Sequence, residues 1–173
     1  MKLIIASDIH GNVTYTKKLI DLINKINPDN IILLGDLLAS YSFDDDFDTY
    51  EVANLLNQFT PKIISVRGNC DSYEDNELLC FDNNKNFRTI EVDGITFTLT
   101  HGHLFNQYPF LLESEYLLYG HTHYYDLHTN HINPGSVGLP RGGNDHTCVI
   151  YENKKIELFS LDSNKIIETK ELL

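Results

Sequence analysis

Cysteine is scarce in this chain, and so is positive charge. Cys70, Cys80 and Cys148 are odd in number and irregularly placed, and no C-x-x-C pair occurs. That excludes a disulfide framework and a cysteine-paired structural zinc site, and makes a reducing cytoplasm the expected compartment. Lys and Arg number 13 against 25 Asp and Glu, a formal net charge of −12 over 173 residues. Such a polyanion repels duplex DNA and anionic lipid unless a local basic patch compensates, and no cluster of Lys or Arg stands out. No apolar run approaches the length of a membrane span. The opening "MKLIIASDIHG" has one lysine, a short apolar run and then Asp8, a buried-strand pattern that does not read as a secretory leader. Internal repeats, low-complexity segments and linkers are missing too, so one domain over residues 1–173 is expected, long enough for a real core.

What the chain does have is an ordered series of strand and helix patterns. "KLIIAS" reads as a buried strand, followed by a helix from Val13 to Asn27 with Leu19, Leu22, Ile23 and Ile26 in helical register. "NIILLG" (Asn30 to Gly35) is a second strand, Thr49 to Gln58 a second helix, and "KIISVRG" (Lys62 to Gly68) a third strand. This β-α-β-α-β order implies right-handed crossovers and a mainly parallel sheet. Beyond it, "FRTIEVDGITFTLTHG" predicts a hairpin turning at Asp93-Gly94. Short strands are expected at Glu115 to Tyr119, Thr147 to Tyr151, Lys155 to Leu161 and Ile166 to Lys170, while His131 to Asn144 reads as a Gly- and Pro-rich loop.

Three apolar strands run directly into polar residues: Asp8-Ile9-His10-Gly11, Gly35-Asp36 and Gly68-Asn69-Cys70-Asp71. In an open parallel sheet, ligands bind just past the carboxyl ends of the strands. Histidine arrives in pairs one residue apart, His101 with His103 in "THGH" and His121 with His123 in "GHTH". Asp8 and His10 share that spacing, which in extended backbone projects both side chains to one side. Imidazole, carboxylate and amide oxygen form a donor set suited to Mn, Fe, Co, Ni or Zn. Any one fragment is also a common turn or helix-cap sequence; the conjunction carries the weight.

Taken in order, "DIHGN", "GDLL", "GNCD", "THGH" and "GHTH" resemble the motif series of the calcineurin-like metallophosphoesterases, and "NPGSV" (Asn133 to Val137) continues it. The small single-domain form is similar to the YfcE-type phosphodiesterases. The resemblance implies an α/β fold, a four-layer α/β/β/α sandwich of two mixed sheets, with two divalent ions at a sheet edge. Mn²⁺ is the foremost candidate, with Ni²⁺, Co²⁺, Fe²⁺ or Zn²⁺ as alternatives. It assigns Asp8, His10 and His123 to one ion, Asn69, His101 and His121 to the other, and Asp36 as the bridge. It places Asn69, Cys70, Asp71 and His103 around the reacting phosphoryl group. The implied activity is hydrolysis of small phosphodiesters by a hydroxide shared between the ions. A homodimer or homotetramer is the implied assembly.

One position departs from the wider superfamily, where a histidine follows "GN" and serves the leaving group. Cys70 stands there instead, and a thiol cannot be cationic at pH 7. Either the chemistry favours diesters and good leaving groups, with His103 as the nearest compensating residue, or Cys70 is only a small buried side chain. "FDDDFD" (Phe43 to Asp48) reads as a solvated acidic loop in preference to a third cation site. Tyr41, Phe43, Phe105, Tyr108, Phe110, Tyr124 and Tyr125 lie around the motif loops and serve packing, an interface or stacking on an aryl group or base. Arg141 in "PRGGN" offers a phosphate contact or a surface turn. The competing class is an inactive protein-binding scaffold on the same fold, like the retromer subunit that resembles these enzymes; intact His10 disfavours it. A DNA-repair nuclease would need greater length and a basic groove.

Overall fold

Alternate residues of the first strand face two different cores, and that division organises the whole molecule. The computed structural model describes residues 1–39 and 46–173. In β1 (Lys2–Ala6), Ile4 and Ala6 enter a core shared with α1 (Val13–Ile26) and α2 (Thr49–Asn57), through Leu19, Leu22, Ile23, Val52 and Leu56. Leu3 and Ile5 point the other way, into a core closed by Phe97, Leu99, Leu118 and Ile132 of a second sheet. A strand buried on both faces is why "LIIA" is continuously apolar instead of alternating.

In the first sheet, β1 lies between a parallel and an antiparallel neighbour. β1, β2 (Asn30–Leu33) and β3 (Ile63–Ser65) run parallel, as the crossover pattern predicts. β9 (Thr147–Glu152) joins β1 antiparallel, and β10 (Lys155–Ser160) and β11 (Lys165–Glu171) extend the sheet outward, so the sheet is mixed. The second sheet contains β4 (Phe87–Val92), β5 (Ile95–Thr100), β6 (Tyr116–Leu118), β7 (Tyr125–Asp126) and β8 (His131–Pro134), in the order β4-β5-β6-β8-β7. The hairpin between β4 and β5 turns where expected, with Asp93 at φ 52° and Gly94 at φ 77°, the two positive values that a tight hairpin of this twist requires. The two mixed sheets and their helices make an α/β fold. Among the described residues, both helices longer than five residues pack on the first sheet; the others are short turns at Thr60–Lys62, Tyr73–Asn76 (α3) and Pro109–Glu113.

One stretch differs from the sequence reading. His131–Pro134 is not loop: it is β8, pairing parallel with β6 through Leu117↔His131 and Leu118↔Ile132. Glycine and proline dominate the following residues and hide a strand whose partner lies more than ten residues away in sequence. Among the described residues, no helix is long and apolar enough to cross a membrane.

The helix ends are capped locally. The Asn12 side chain accepts the Tyr15 N–H at 2.9 Å, and Asp48 caps α2 through the Glu51 N–H at 2.9 Å. Tyr15 also ties α1 to the loop after β10, donating its hydroxyl to Asp162 at 2.5 Å. That hydrogen bond, with burial and nearby carboxylates, pushes the Tyr15 hydroxyl up to about 12 from 10.0. A raised folded-state value means the contribution is complete below pH 10 and is lost as pH rises towards about 12. Tyr15→Phe should therefore lower the urea midpoint at pH 8, and the gap to wild type should narrow by pH 11. A gap that stays constant would exclude the ionisable Tyr15–Asp162 hydrogen bond as its source.

Candidate metal centre

Five of the candidate ligands sit in backbone conformations that ordinary residues avoid. Asp8 (φ 54°), His10 (φ 52°), Asp36 (φ 53°), His121 (φ 69°) and His123 (φ 63°) are all left-handed. Left-handed backbone costs a non-glycine residue about 1–2 kcal/mol, so these loops are over-determined by their surroundings. The expectation that Asp8/His10 and His121/His123 converge as neighbours in extended strands is therefore corrected. They lie in tight loops beyond β1 and β6, and left-handed turns aim the side chains.

The loops hold one another in place. Asp8 N–H donates to Gly35 C=O at 3.1 Å and His10 N–H to Asp36 C=O at 3.0 Å, zipping the first two strand ends together. Gly68 lies so close to Asp36 that a Cβ there would collide with its carboxylate, and a Cβ at Gly120 would strike Ser7 and Asp8. "NPGSV" is the clamp between distant loops. Asn133 donates to Gly120 C=O at 3.0 Å and Thr122 Oγ1 at 3.1 Å, and Ser136 Oγ donates to Asp8 C=O at 2.7 Å. Sequence reasoning missed Asn133 and Ser136 as positioning residues; their only signal was membership of the motif series.

Six of the seven predicted metal residues converge as two sets. Asp8, His10 and His123 offer ligand atoms within 4.8 Å of one another, and so do Asp36, His101 and His121. The seventh, Asn69, brings Oδ1 to 3.1 Å from His101 Nε2. Asp36 lies between the sets, with Oδ2 3.2 Å from His101 Nε2 and 3.7 Å from His10 Nε2. The two histidines of "GHTH" thus fall into different sets.

The polarity of these contacts tests whether a cation fits. The Nδ1 atoms of His10, His101 and His123 face the carbonyl oxygens of Ala39, Leu34 and Leu139. A carbonyl only accepts, so each Nδ1 carries the proton and each Nε2 of a neutral ring presents a lone pair inward. Those lone pairs meet others: His10 Nε2 and His123 Nε2 are 3.3 Å apart, and Asp8 Oδ1, fully buried, has no hydrogen-bond partner among the described residues. Lone pairs converging on an unpartnered buried carboxylate oxygen require positive charge. Burial alone would raise the carboxyls of Asp8 and Asp36, but bonds and charge from His10 and His101 hold both below the usual range. Burial opposes protonation of His10 and His101, yet Asp8 and Asp36 raise both above ordinary imidazole. Divalent cations in the same place would displace those protons, and the imidazole–carboxylate set suits them.

The other predicted residues divide. Cys70 borders the cluster: its thiol groups with His10 and Asp36, and its N–H donates to Asp36 Oδ1 at 2.8 Å. His103 lies beside His101 and His121, at ring separations of 5.3 and 6.1 Å. Burial and those imidazoles push it down to about 4, so it stands neutral at pH 7 and does not supply the cationic acid that Cys70 lacks. Asp71 does not reach the cluster. Its buried carboxylate accepts the N–H groups of Asp36 (2.9 Å), Gly68 (2.7 Å) and Leu37 (2.8 Å), which makes it a brace beneath the second and third loops. Burial raises its carboxyl above the usual range despite these donors.

Of the acidic run, Asp46 accepts from Thr14 and Asp48 caps α2; Tyr41 and residues 43–45 lie outside the described residues. Phe105 packs against Tyr119, Tyr108 and Phe110 cluster with Phe87, and Tyr125 sits in β7. Tyr124 and Arg141 line the cavity of about 810 Å³ that opens onto the cluster.

A calcineurin-like phosphoesterase superfamily domain matches residues 1–155, and the chain belongs to that family. It is 35% identical over 176 residues to the phosphodiesterase YfcE of Escherichia coli strain K12, covering 96% of each chain. The solved structure of YfcE, a phosphoesterase from E. coli, superposes with a TM-score of 0.88 at 32% identity over 100% of both chains. Vps29 from Entamoeba histolytica, solved with Zn²⁺, shares the fold at a TM-score of 0.69 and 16% identity, over 99% of each chain.

Proposed function

We propose that this chain hydrolyses small phosphodiesters at a dinuclear metal site. The observation that carries the reading is the inward convergence of imidazole lone pairs on the buried, unpartnered Asp8 Oδ1, with Asp36 between two ligand sets. Family membership and full-length similarity to a protein named as a phosphodiesterase support it. Asp8, His10 and His123 would hold one ion, Asn69, His101 and His121 the other, and Asp36 both. Bound there, the two ions would supply water activation and neutralise phosphoryl charge. The side-chain amide of Asn69 and the thiol of Cys70 stand at the rim, where an incoming phosphoryl group would meet them. His103, neutral at pH 7, does not offer a cationic acid to the leaving group. Diesters with good leaving groups suit that arrangement better than monoesters.

Mn²⁺ is the ion that the family resemblance favours, and the mixed nitrogen and oxygen donors equally admit Fe, Co, Ni or Zn. Reduced cysteines and the acidic surface favour a cytoplasmic protein acting on small substrates, not duplex nucleic acid. The test is hydrolysis of bis(p-nitrophenyl) phosphate by metal-stripped protein, with Mn²⁺, Ni²⁺, Co²⁺, Zn²⁺ or Mg²⁺ restored singly and p-nitrophenyl phosphate as the monoester control. Metal-dependent cleavage favouring the diester is expected. Binding of two ions without turnover on any ester would sink the hydrolase reading and put the scaffold in its place.

A further inference from the structure

The cavity beside the cluster has two unlike sides. One is the cluster itself; the other is an outer wall of Tyr124, Leu139, Pro140 and Arg141. That wall is bolted to a candidate ligand: Arg141 N–H donates to His123 C=O at 3.3 Å, and His123 Nδ1 donates to Leu139 C=O. The Tyr124 ring, 49% exposed, lies against Gly142, where any Cβ would run into it. Its N–H is held by Thr122 Oγ1 at 3.2 Å. A large, half-exposed ring fixed beside the cluster is preorganised for another flat group.

A second, smaller cavity of about 360 Å³ is lined by Arg67, Asn86, His103 and Gln107. Asn69 borders both cavities. A phosphodiester carries two ester arms leaving phosphorus in different directions. Two cavities that share Asn69 offer each arm its own place, one walled by an aromatic ring, the other polar.

Charge makes the same distinction. The chain has only three arginines. Arg88 is paired with Asp82, and Arg67 donates Nε to Asp71 C=O at 3.0 Å and lies over Tyr73. Arg141 has no ion-pair partner among the described residues, and it faces the cavity of a strongly acidic protein. A planar guanidinium is suited to two oxygens of a phosphoryl group.

We propose that Tyr124 and Arg141 form a substrate subsite, with Tyr124 stacking on a planar ester arm, aryl or nucleobase, and Arg141 pairing with a non-bridging phosphoryl oxygen. This inference rests on the hydrolase reading for its ligand class. It makes the substrates phosphodiesters with one flat aromatic arm in the larger cavity and one polar arm in the smaller.

The test is calorimetric binding of diphenyl phosphate and dimethyl phosphate to the full chain loaded with Mn²⁺, with bis(p-nitrophenyl) phosphate turnover measured on the same samples. Wild type should bind the diphenyl ester about tenfold tighter than the dimethyl ester. Tyr124→Ala should erase that preference and Tyr124→Phe should keep it. Arg141→Gln should weaken both ligands by about tenfold without changing their ratio. In turnover, Tyr124→Ala should raise KM and leave kcat near wild type. No preference in wild type, or a preference surviving in Tyr124→Ala, overturns the subsite. Turnover without preference leaves the hydrolase standing and removes only the subsite; preference without turnover does the reverse.

Discussion

Asp36→Asn should reduce turnover of bis(p-nitrophenyl) phosphate at saturating Mn²⁺ by about a thousandfold or more, in a protein that still folds. The reasoning starts from position. Asp36 Oδ2 faces His101 and His10, one from each ligand set, and Oδ1 accepts the Cys70 N–H. An amide of the same size can keep one hydrogen bond, but it removes a carboxylate charge that faces both sets. Losing about 4 kcal/mol of transition-state stabilisation corresponds to roughly a thousandfold in rate. Calorimetry should find one of the two ions bound far more weakly, and Mn²⁺ should raise the melting temperature less than it does for wild type. The matched control is metal-free melting, which should differ little between the two proteins. Wild-type turnover in the variant would remove Asp36 as the bridge, whatever else the site does.

Asp71→Leu should produce the largest loss of stability of any single polar substitution discussed here. Three buried N–H groups, of Asp36, Leu37 and Gly68, end on one carboxylate. Each buried donor left unpaired costs about 1–3 kcal/mol, so a loss on the order of 3 kcal/mol or more is expected. For a chain of this length that is a fall of about 6–12 °C in melting temperature. Stability alone does not separate a brace from an ordinary core residue, so a second readout is needed. Well below its melting temperature, folded Asp71→Leu should bind Mn²⁺ about 10–100-fold more weakly, because all three released groups belong to the Asp36 and Gly68 loops. Asp71→Asn, which retains one acceptor oxygen, should fall between. Unchanged Mn²⁺ affinity in folded Asp71→Leu would reduce the residue to a packing role.

The parts of this molecule that were legible in the sequence are those whose chemistry is local. Apolar runs such as "KLIIA" and "NIIL" announce strands, and the helical spacing of Leu19, Leu22 and Ile23 announces α1, because burial acts on neighbouring residues together. The histidine pairs were equally visible, since each sits in a short loop with its glycine. Their geometry was not. Side-chain alternation in an extended strand does not describe His121 and His123, which fall into different sets, because their left-handed φ angles depend on distant contacts such as Asn133. Asp71 looked like a participant in chemistry; only tertiary structure reveals that its acceptors serve the backbone of another loop. β8 went unread because its hydrogen bonds run to β6, and nothing within "HINP" itself marks a strand. Local signals identified the chemistry, and long-range hydrogen bonds determined where each group points.

The left-handed turns at Asp8, His10, Asp36, His121 and His123 have a consequence for anyone who would engineer this protein. Each is a position where glycine would relieve the backbone, so a search guided only by thermal tolerance is drawn towards replacing the very groups that make the cluster. Heat resistance and chemistry are set in opposition at the same five residues. A hardier variant is better sought at the sheet edge formed by β11, well away from these loops, and a library that gains its stability at the loops should be expected to yield sturdy proteins with nothing left to do.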